Sequence, residues 1–234
     1  MTEAVFITGT SSGLGRGLAE EFLERGSKVY GLSRRPSGIE SPDFHEVHRD
    51  LGDLEGIGAA LGELLGKTEI GLAILNAGML GEFKAMPDLA LDELRRAMDI
   101  NVWANKQILD WFAAHHAPGR IVLISSGAAV NGSKGWGSYA MSKAALNMLT
   151  QLYAHDLPDS HLVALAPGLV HTAMQDQIND GVDAKTFPSV QRLKEARGTP
   201  DMPGPRKVAR MIADALPDLL ERHASGDFVD IRDF

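Results

Sequence analysis

Short apolar runs alternate with longer amphipathic segments along the whole chain of 234 residues. This alternation is typical of βαβ units and a parallel sheet. The runs are apolar along most of their length, as expected for strands covered by helices on both faces. We therefore predict one doubly wound α/β domain over residues 1–234, with a central parallel sheet of about seven strands: Ala4–Thr8, Lys28–Ser33, Phe44–His48, Leu72–Leu75, Arg120–Ser125, Leu162–Ala166 and Phe228–Ile231.

Apolar periodicity predicts the main helices. Leu14, Leu18 and Phe22 repeat every four residues and form one buried stripe in the first helix. Longer helices are predicted over Leu91–His115 and Ser138–Leu157. The second is apolar around more than one face, which indicates burial on more than one side. A second subunit or the rest of this chain would bury the extra face, and the pattern leaves both open.

Residues 173–205 differ from the rest of the chain in their pattern of apolar and polar residues. Apolar residues are scattered among polar ones, and the segment ends in three prolines: Pro200, Pro203 and Pro205. A final helix and strand must still rejoin the sheet after it, so a linker is not expected. Long irregular segments inside a compact domain are usually functional. We predict a mobile lid or insertion over the substrate.

Composition narrows the class of protein. The net charge of −8 favours solubility and argues against a general nucleic-acid-binding surface. The absence of cysteine excludes disulfides and thiol nucleophiles. No basic leader or membrane-length apolar stretch is visible, so we expect a cytoplasmic protein without a membrane partner. His45 and His48 point to opposite faces of a strand, and no metal site is expected.

A glycine-rich turn lies between the first strand and the first helix. Three glycines in this turn let the backbone approach a pyrophosphate, whose charge would meet free N–H groups at the helix start. A merely tight turn is the alternative, and a single glycine would satisfy it. The residues predicted to face a cofactor here are Gly9, Ser11, Ser12, Gly13, Leu14 and Gly15.

The end of the second strand predicts which dinucleotide binds. An acidic residue about 20 positions after the glycines would bind a ribose 2′-hydroxyl, whereas arginine suits a 2′-phosphate. The chain has Ser33, Arg34 and Arg35 in that window and no carboxylate. Guanidinium groups bind phosphate in a bidentate manner. We therefore predict a preference for NADP(H) over NAD(H), with one or both arginines holding the phosphate.

Tyr139 and Lys143 are four residues apart, with Ser126 thirteen positions upstream of the tyrosine. Residues at this spacing share one face of a helix. A positive charge about 4 Å away supplies roughly 4 kcal/mol at an effective dielectric constant of about 20, which corresponds to ~3 pKa units. We therefore expect Lys143 to lower the pKa of Tyr139, so that the trio can move a proton to or from a carbonyl or carbinol oxygen.

Six motifs follow one another in the chain: Thr8–Gly15, Asn76-Ala77-Gly78, Asn101, Ser126, Tyr139 with Lys143, and Pro167–Thr172. In this order they resemble the classical short-chain dehydrogenase/reductase family, and the resemblance covers nearly the whole chain. It implies a Rossmann-type fold. The chain departs from the family in that Leu75 stands where a first asparagine is common, and Ser12 where many NADP-using members carry a basic residue.

The resemblance also implies roles for individual residues. Ser126, Tyr139, Lys143 and Asn101 would be catalytic: Ser126 holds the substrate oxygen, and Asn101 positions a water that links Lys143 to solvent. Asp50 and Leu51 would flank the adenine. The remaining cofactor contacts would come from Asn76, Ala77, Gly78, Pro167, Gly168, Val170 and Thr172, together with Tyr139 and Lys143. The extension that is common in the family after the last strand is missing, so the resemblance does not assign substrate contacts to that end.

The implied activity is NADP(H)-dependent interconversion of a carbonyl compound and its alcohol, with Tyr139 as general acid/base. The apolar residues of the lid suggest a partly hydrophobic substrate, and we expect a homodimer or homotetramer. A catalytically idle NADP(H)-sensing protein is the alternative. A hydrolase is disfavoured because Ser125 and Ser126 lack a Gly-x-Ser-x-Gly elbow. A sugar epimerase is disfavoured because its glycines are spaced differently.

Overall fold

The computed structural model describes residues 3–234, without the side chains of residues 179 and 180. Seven parallel strands form one sheet in the order β3-β2-β1-β4-β5-β6-β7. This confirms the predicted doubly wound, Rossmann-type fold. The strand order reverses between β1 and β4, and ligands of such sheets bind at the carboxyl ends of the strands beside this point. The strands are β1 Val5–Thr8, β2 Val29–Ser33, β3 Phe44–His48, β4 Leu72–Leu75, β5 Arg120–Ile124, β6 His161–Ala166 and β7 Phe228–Asp230.

Eight α-helices connect and cover the strands in the described part of the chain. They are α1 Gly13–Glu24, α2 Ile57–Leu65, α3 Leu91–Met98, α4 Ala104–Ala114, α5 Gly137–Asp156, α6 Ala173–Gly181, α7 Ser189–Ala196 and α8 Pro205–Arg222. In the described part of the chain, none of them has the length and apolar character that crossing a bilayer requires.

The core lies in two layers, one on each face of the sheet. Residues of α2, α4 and α5 pack with Phe6, Leu75 and Leu123 on one face. Residues of α1 and α8 pack with Ile7, Ile74 and Val163 on the other. Adjacent strand residues thus point to opposite layers, as the period of two requires. These layers hold the strand ends, and therefore the side chains that follow them, in a fixed arrangement.

The prediction of a single helix over Leu91–His115 is wrong for the middle of that range. A π-helical turn over Asp99–Trp103 separates α3 from α4, and α4 ends at Ala114. Single π turns inside longer helices occur frequently at functional sites. Here the turn carries Asn101, whose side chain is fully buried and bonded to the chain beyond β4. The tertiary contact, rather than the local periodicity, decides the conformation.

The segment 173–205 is more regular than predicted, because it contains α6 and α7. Ile178 of α6 packs against Val190 and Leu193 of α7, and with Leu80 and Met202 they form a third, smaller apolar cluster. Asp176 accepts a hydrogen bond from Arg197 at 2.9 Å, which ties the two helices together. That this segment acts as a lid remains a prediction.

Candidate active site

One cavity of about 880 Å³ is lined by residues that follow the carboxyl ends of all seven strands. Its size lies in the range of cofactor and substrate pockets. Every predicted site residue lines it except Gly15 and Asn101. Those two lie beneath the surface of the cavity, where they support residues that line it.

The glycine turn forms one wall of the cavity. Gly9 and Gly13 have φ angles of 79° and 58°, a region that favours glycine. A Cβ at Gly15 would stand 2.3 Å from the carbonyl oxygen of Gly9. Only glycine at position 15 therefore lets α1 begin this close to the turn. A Cβ at Gly13 would stand 3.3 Å from Thr172, so the turn and the segment after β6 face each other closely.

The end of β4 is locked to the end of β1. The Thr8 hydroxyl accepts hydrogen bonds from the backbone N–H groups of Asn76 and Ala77, both at 3.0 Å. The Asn76 amide donates to the Thr8 carbonyl oxygen, also at 3.0 Å. Asn76 thus acts as a structural clamp beside the glycine turn. A Cβ at Gly78, two residues on, would lie 3.5 Å from Nζ of Lys143.

The end of β2 brings Arg34 and Arg35 to the cavity, next to Asp50 and Leu51 after β3. Nη1 of Arg34 lies 3.6 Å from a carboxylate oxygen of Asp50, and both side chains are exposed. Arg35 has no ion-pair partner among the described residues. The Ser33 hydroxyl donates to the Arg35 carbonyl oxygen at 2.7 Å and fixes the loop. The sequence predicts separate ligands for Arg34 and Asp50, whereas in the structure the two side chains pair with each other.

Ser126, Tyr139 and Lys143 converge at the other end of the cavity. Ser126 follows β5 and accepts a hydrogen bond from the Ala128 N–H at 3.1 Å. Nζ of Lys143 lies 5.8 Å from the centre of the Tyr139 ring, one turn along α5. The same Nζ donates to the Ile124 carbonyl oxygen at 2.6 Å. The lysine is therefore held against the end of β5 and under the tyrosine ring.

The expected lowering of the Tyr139 pKa by Lys143 is not what this arrangement gives. Burial raises the pKa of Tyr139 above its ordinary value of 10.0, and the nearby Ser126 hydroxyl opposes this rise. Burial lowers the pKa of Lys143 to about 8. Both shifts favour the neutral form of a group withdrawn from water. A charge about 4 Å from the phenol would lower its pKa, but burial removes both groups from water and dominates both pKa shifts.

Asn101 sits behind these residues. Its amide oxygen accepts from the Met79 N–H at 2.8 Å, and its amide nitrogen donates to the Met79 carbonyl at 2.9 Å. The same nitrogen donates to the Ser142 hydroxyl, also at 2.9 Å. Asn101 thus fixes the loop after β4 to α5. Its role in placing a water remains a prediction.

The segment after β6 closes the cavity over the glycine turn. Pro167, Gly168, Val170 and Thr172 all line it, and Gly168 has a φ angle of 71°. Thr172 precedes α6, so this segment lies between the sheet and helices α6 and α7. The arrangement fits the predicted cofactor contacts, whose chemistry remains a prediction.

Several lining residues were not foreseen. Asp230 and Arg232, at the end of β7, form an ion pair and line the cavity, so the end of the chain does contribute to its wall. Arg192 and Gln175 line it from α7 and α6. The Gln175 amide oxygen is buried and has no hydrogen-bond partner among the described residues. A polar residue on the cavity side of a helix is the signal that could have found Gln175 and Arg192, given that residues 173–205 are helical.

These residues fit a dinucleotide. The glycine turn offers a cradle that a Cβ at Gly13 would narrow, and the start of α1 points free N–H groups at it. Arg34 and Arg35 stand at one end, and Lys143 and Tyr139 at the other. The unpartnered Gln175 oxygen can accept from a carboxamide N–H. No group of three or more metal-ligating side chains is found among the described residues.

The fold and this site define a dinucleotide-binding oxidoreductase. A model of the short chain dehydrogenase family matches residues 3–183, and the chain belongs to that family. It is 31% identical over 246 residues to the benzil reductase ((S)-benzoin forming) of Bacillus subtilis, covering 99% of both chains. It is also 31% identical to human L-xylulose reductase, covering 78% of each chain. The protein is thus an oxidoreductase of carbonyl and alcohol groups.

Solved structures agree in fold. A short-chain dehydrogenase/reductase from Saccharomyces cerevisiae superimposes with a TM-score of 0.86 at 21% identity, covering 98% of this chain and 96% of that one. The structure of ElxO with NADP bound superimposes with a TM-score of 0.78 at 22% identity, covering 99% and 97%. At this level of identity the likeness establishes the shared fold.

Proposed function

We propose that this protein is an NADP(H)-dependent carbonyl reductase in which Tyr139 is the general acid/base. The observation that carries the proposal is the convergence of Ser126, Tyr139 and Lys143 at one end of a cavity whose other end carries Arg34 and Arg35. NADP(H) has a nicotinamide ring at one end and a 2′-phosphate near the other. The tyrosine and lysine would meet the nicotinamide end, and the two arginines would meet the phosphate.

In the reducing direction, the glycine turn and Lys143 would hold NADPH, which would supply a hydride to the carbonyl carbon. Tyr139 donates its proton to the carbonyl oxygen, and the Ser126 hydroxyl donates a hydrogen bond that stabilises the charge developing there. The raised pKa of Tyr139 keeps the phenol protonated at neutral pH, as a proton donor requires. Lys143 would hold the ribose hydroxyls of the cofactor, and its ammonium group would return a proton to Tyr139 and recover one from solvent. Such proton transfer contributes about 10²–10⁴-fold to rate.

The preference for NADP(H) rests on charge at the end of β2. Arg35 has no carboxylate partner among the described residues, and Arg34 shares only an exposed contact of 3.6 Å with Asp50. An exposed pair of this kind is weak, so both guanidinium groups can turn to a phosphate. No acidic residue stands at the end of β2 to favour a free ribose hydroxyl.

The substrate is a hydrophobic, preferably aromatic, ketone or diketone. Beside Tyr139 the cavity is lined by Trp136, Leu169, Met174 and Ile178, and the Trp136 ring centre is 6.0 Å from that of Tyr139. Apolar and aromatic linings of this kind bind apolar ligands. The relatives named benzil reductase, from Bacillus subtilis and Bacillus cereus, support this choice.

The protein works as a homodimer or larger homo-oligomer. Met141, Met148 and Leu152 form one stripe on α5 and are 52%, 53% and 54% exposed, and Trp103 lies exposed beside α4. A row of large apolar side chains open to water is typical of an interface. Because α5 also carries Tyr139 and Lys143, association through this face would brace the catalytic helix.

A test is to follow reduced-nicotinamide absorbance with benzil and a panel of aryl ketones, using NADPH and NADH in turn. Tyr139→Phe should lose at least about 10²-fold in kcat. The matched control is Tyr153→Phe, on the same helix but outside the cavity, which should keep wild-type kcat. Tight NADPH binding with equally slow turnover in wild type and Tyr139→Phe would instead support the idle, NADP(H)-sensing alternative.

A further inference from the structure

The cavity carries positive charge beyond Arg34 and Arg35, the two arginines assigned to the 2′-phosphate of a dinucleotide. Its lining includes six arginines and Lys143 but only two carboxylates, Asp50 and Asp230, in a protein whose net charge is −8. Arg34, Arg49 and Arg232 each have a carboxylate partner. A cavity lined by one sign of charge concentrates ligands of the other sign.

Arg192 stands out among these cations by its position. It lies on α7 and is, among the described residues, the one cation of the lining that comes from segment 173–205. No ion pair or hydrogen bond of its side chain is found among the described residues, and it lines the cavity. Its neighbours Val190 and Leu193 are buried in the third apolar cluster, which we call the lid cluster. Packing therefore fixes the helix and leaves this guanidinium free at the cavity surface.

The contacts of α7 place Arg192 on the substrate side. The Trp136 indole N–H donates to the Ser189 hydroxyl at 2.9 Å, and Arg192 follows Ser189 by three residues on the same helix face. Trp136 in turn lies 6.0 Å, centre to centre, from the Tyr139 ring. A substrate whose carbonyl meets Tyr139 can therefore extend along Trp136 towards the face of α7 that carries Arg192.

We propose that Arg192 is a specificity-determining residue that binds an anionic group, a carboxylate, at the end of an apolar substrate remote from the reacting carbonyl. This inference rests on the proposed function and names its substrate class more closely. The apolar body lies against Trp136 and the lid cluster, and the carboxylate forms a charge-assisted hydrogen bond with the guanidinium. The exposed position of Arg192 lets the anion remain partly hydrated.

Three para-substituted acetophenones test this: 4-acetylbenzoate, 1,4-diacetylbenzene and 4-ethylacetophenone, which carry an anion, a neutral acceptor and an apolar group at the same place. Wild type should prefer 4-acetylbenzoate over 4-ethylacetophenone, and less so at high salt. Arg192→Met should lower kcat/KM for 4-acetylbenzoate about tenfold, mainly through KM, and leave 4-ethylacetophenone within about twofold. Arg192→Lys should keep most of the preference, and Lys194→Met, on the same helix outside the cavity, should keep all of it.

Equal losses with 4-acetylbenzoate and 4-ethylacetophenone, or weaker NADPH binding in Arg192→Met, would overturn the proposal and assign Arg192 to general packing or to the cofactor. A loss confined to 1,4-diacetylbenzene would also overturn it, in favour of a neutral acceptor. Reduction of aryl ketones without any carboxylate preference would sink this inference alone, whereas no turnover of any ketone would sink the proposed function. Binding of 4-acetylbenzoate to the NADPH complex, followed by cofactor fluorescence, tests Arg192 independently of turnover.

Discussion

Nζ of Lys143 donates to the carbonyl oxygen of Ile124 at 2.6 Å, which joins α5 to the end of β5. The lysine side chain is only 3% exposed, and burial lowers its pKa from 10.5 to about 8. Between these two pH values the unfolded chain binds more protons than the folded protein, so this group makes stability rise with pH in that window. Below about pH 8 the buried amine is charged in the folded protein, and the full cost of its desolvation lowers the free energy of unfolding.

Lys143→Met should therefore abolish reductase activity and yet stabilise the protein at pH 7. The pKa difference corresponds to roughly 3 kcal/mol, from which about 1 kcal/mol is subtracted for the lost hydrogen bond to Ile124. The gain, measured by urea unfolding, should shrink as pH rises from 8 to 10. The control is Lys67→Met, an exposed lysine, which should gain nothing. A less stable Lys143→Met protein at pH 7 would contradict the assigned cost.

Substitutions of Arg34 and of Asp50 should have different effects on the selectivity between NADPH and NADH. Replacing Arg34 and Arg35 together by leucine removes the phosphate ligands and should raise the Kd of NADPH about 10–100-fold, while that of NADH changes little. Asp50→Asn should weaken NADPH and NADH alike, because the adenine is common to both. Fluorescence titration of both nucleotides measures these effects.

Arg95→Leu is the control for the arginine variant, since Arg95 is exposed, pairs with Asp92 and lies outside the cavity. It should leave both Kd values unchanged. If Asp50→Asn strengthened NADPH alone, the carboxylate would act by restraining Arg34 rather than by contacting adenine.

Gly15→Ala should disturb the cofactor cradle itself. The new Cβ would lie 2.3 Å from the Gly9 carbonyl oxygen and 2.5 Å from the Asn76 amide, so the turn and the Thr8–Asn76 clamp must shift. We expect NADPH affinity to fall at least about tenfold and stability to fall by about 1–3 kcal/mol, as for other overpacked sites. Isothermal titration and urea unfolding measure the two effects.

Gly62→Ala is the matched control, because Gly62 lies inside α2 with nothing within 4 Å of the new Cβ. It should raise stability by about 0.5–1 kcal/mol and leave NADPH binding unchanged. Unchanged NADPH affinity in Gly15→Ala would argue against the turn as the pyrophosphate site.

The structural features that could be predicted from the sequence are those that depend on the local pattern of apolar and polar residues. The bounds of β3 and β4 match the predictions to the residue, because both are apolar or alternating runs bounded by polar turns. The cavity lining also follows from motif order, since the carboxyl ends of parallel strands must meet at one edge. Glycines 9, 13 and 15 could be placed because their backbone geometry leaves few alternatives.

What sequence missed depends on contacts between distant segments. The π turn at Asn101 is held by Met79 and Ser142, which lie 22 and 41 residues away. The helices of residues 173–205 are stabilised by a small cluster that includes Leu80, and their own periodicity is short. The direction of the Tyr139 pKa depends on burial, which the i, i+4 spacing with Lys143 does not reveal.

The exposed stripe of α5 leads to the last prediction, on assembly. Burying a methionine or leucine side chain contributes roughly 1.5–3 kcal/mol, and a two-fold interface counts each substituted residue twice. Met148→Lys with Leu152→Lys should therefore shift the protein from dimer or tetramer to monomer, as measured by sedimentation velocity at micromolar concentration. Met211→Lys on α8, 38% exposed and away from this stripe, should keep the wild-type mass. A monomeric wild-type protein would mean that the stripe has another partner, and loss of activity on dissociation would show that the interface braces Tyr139.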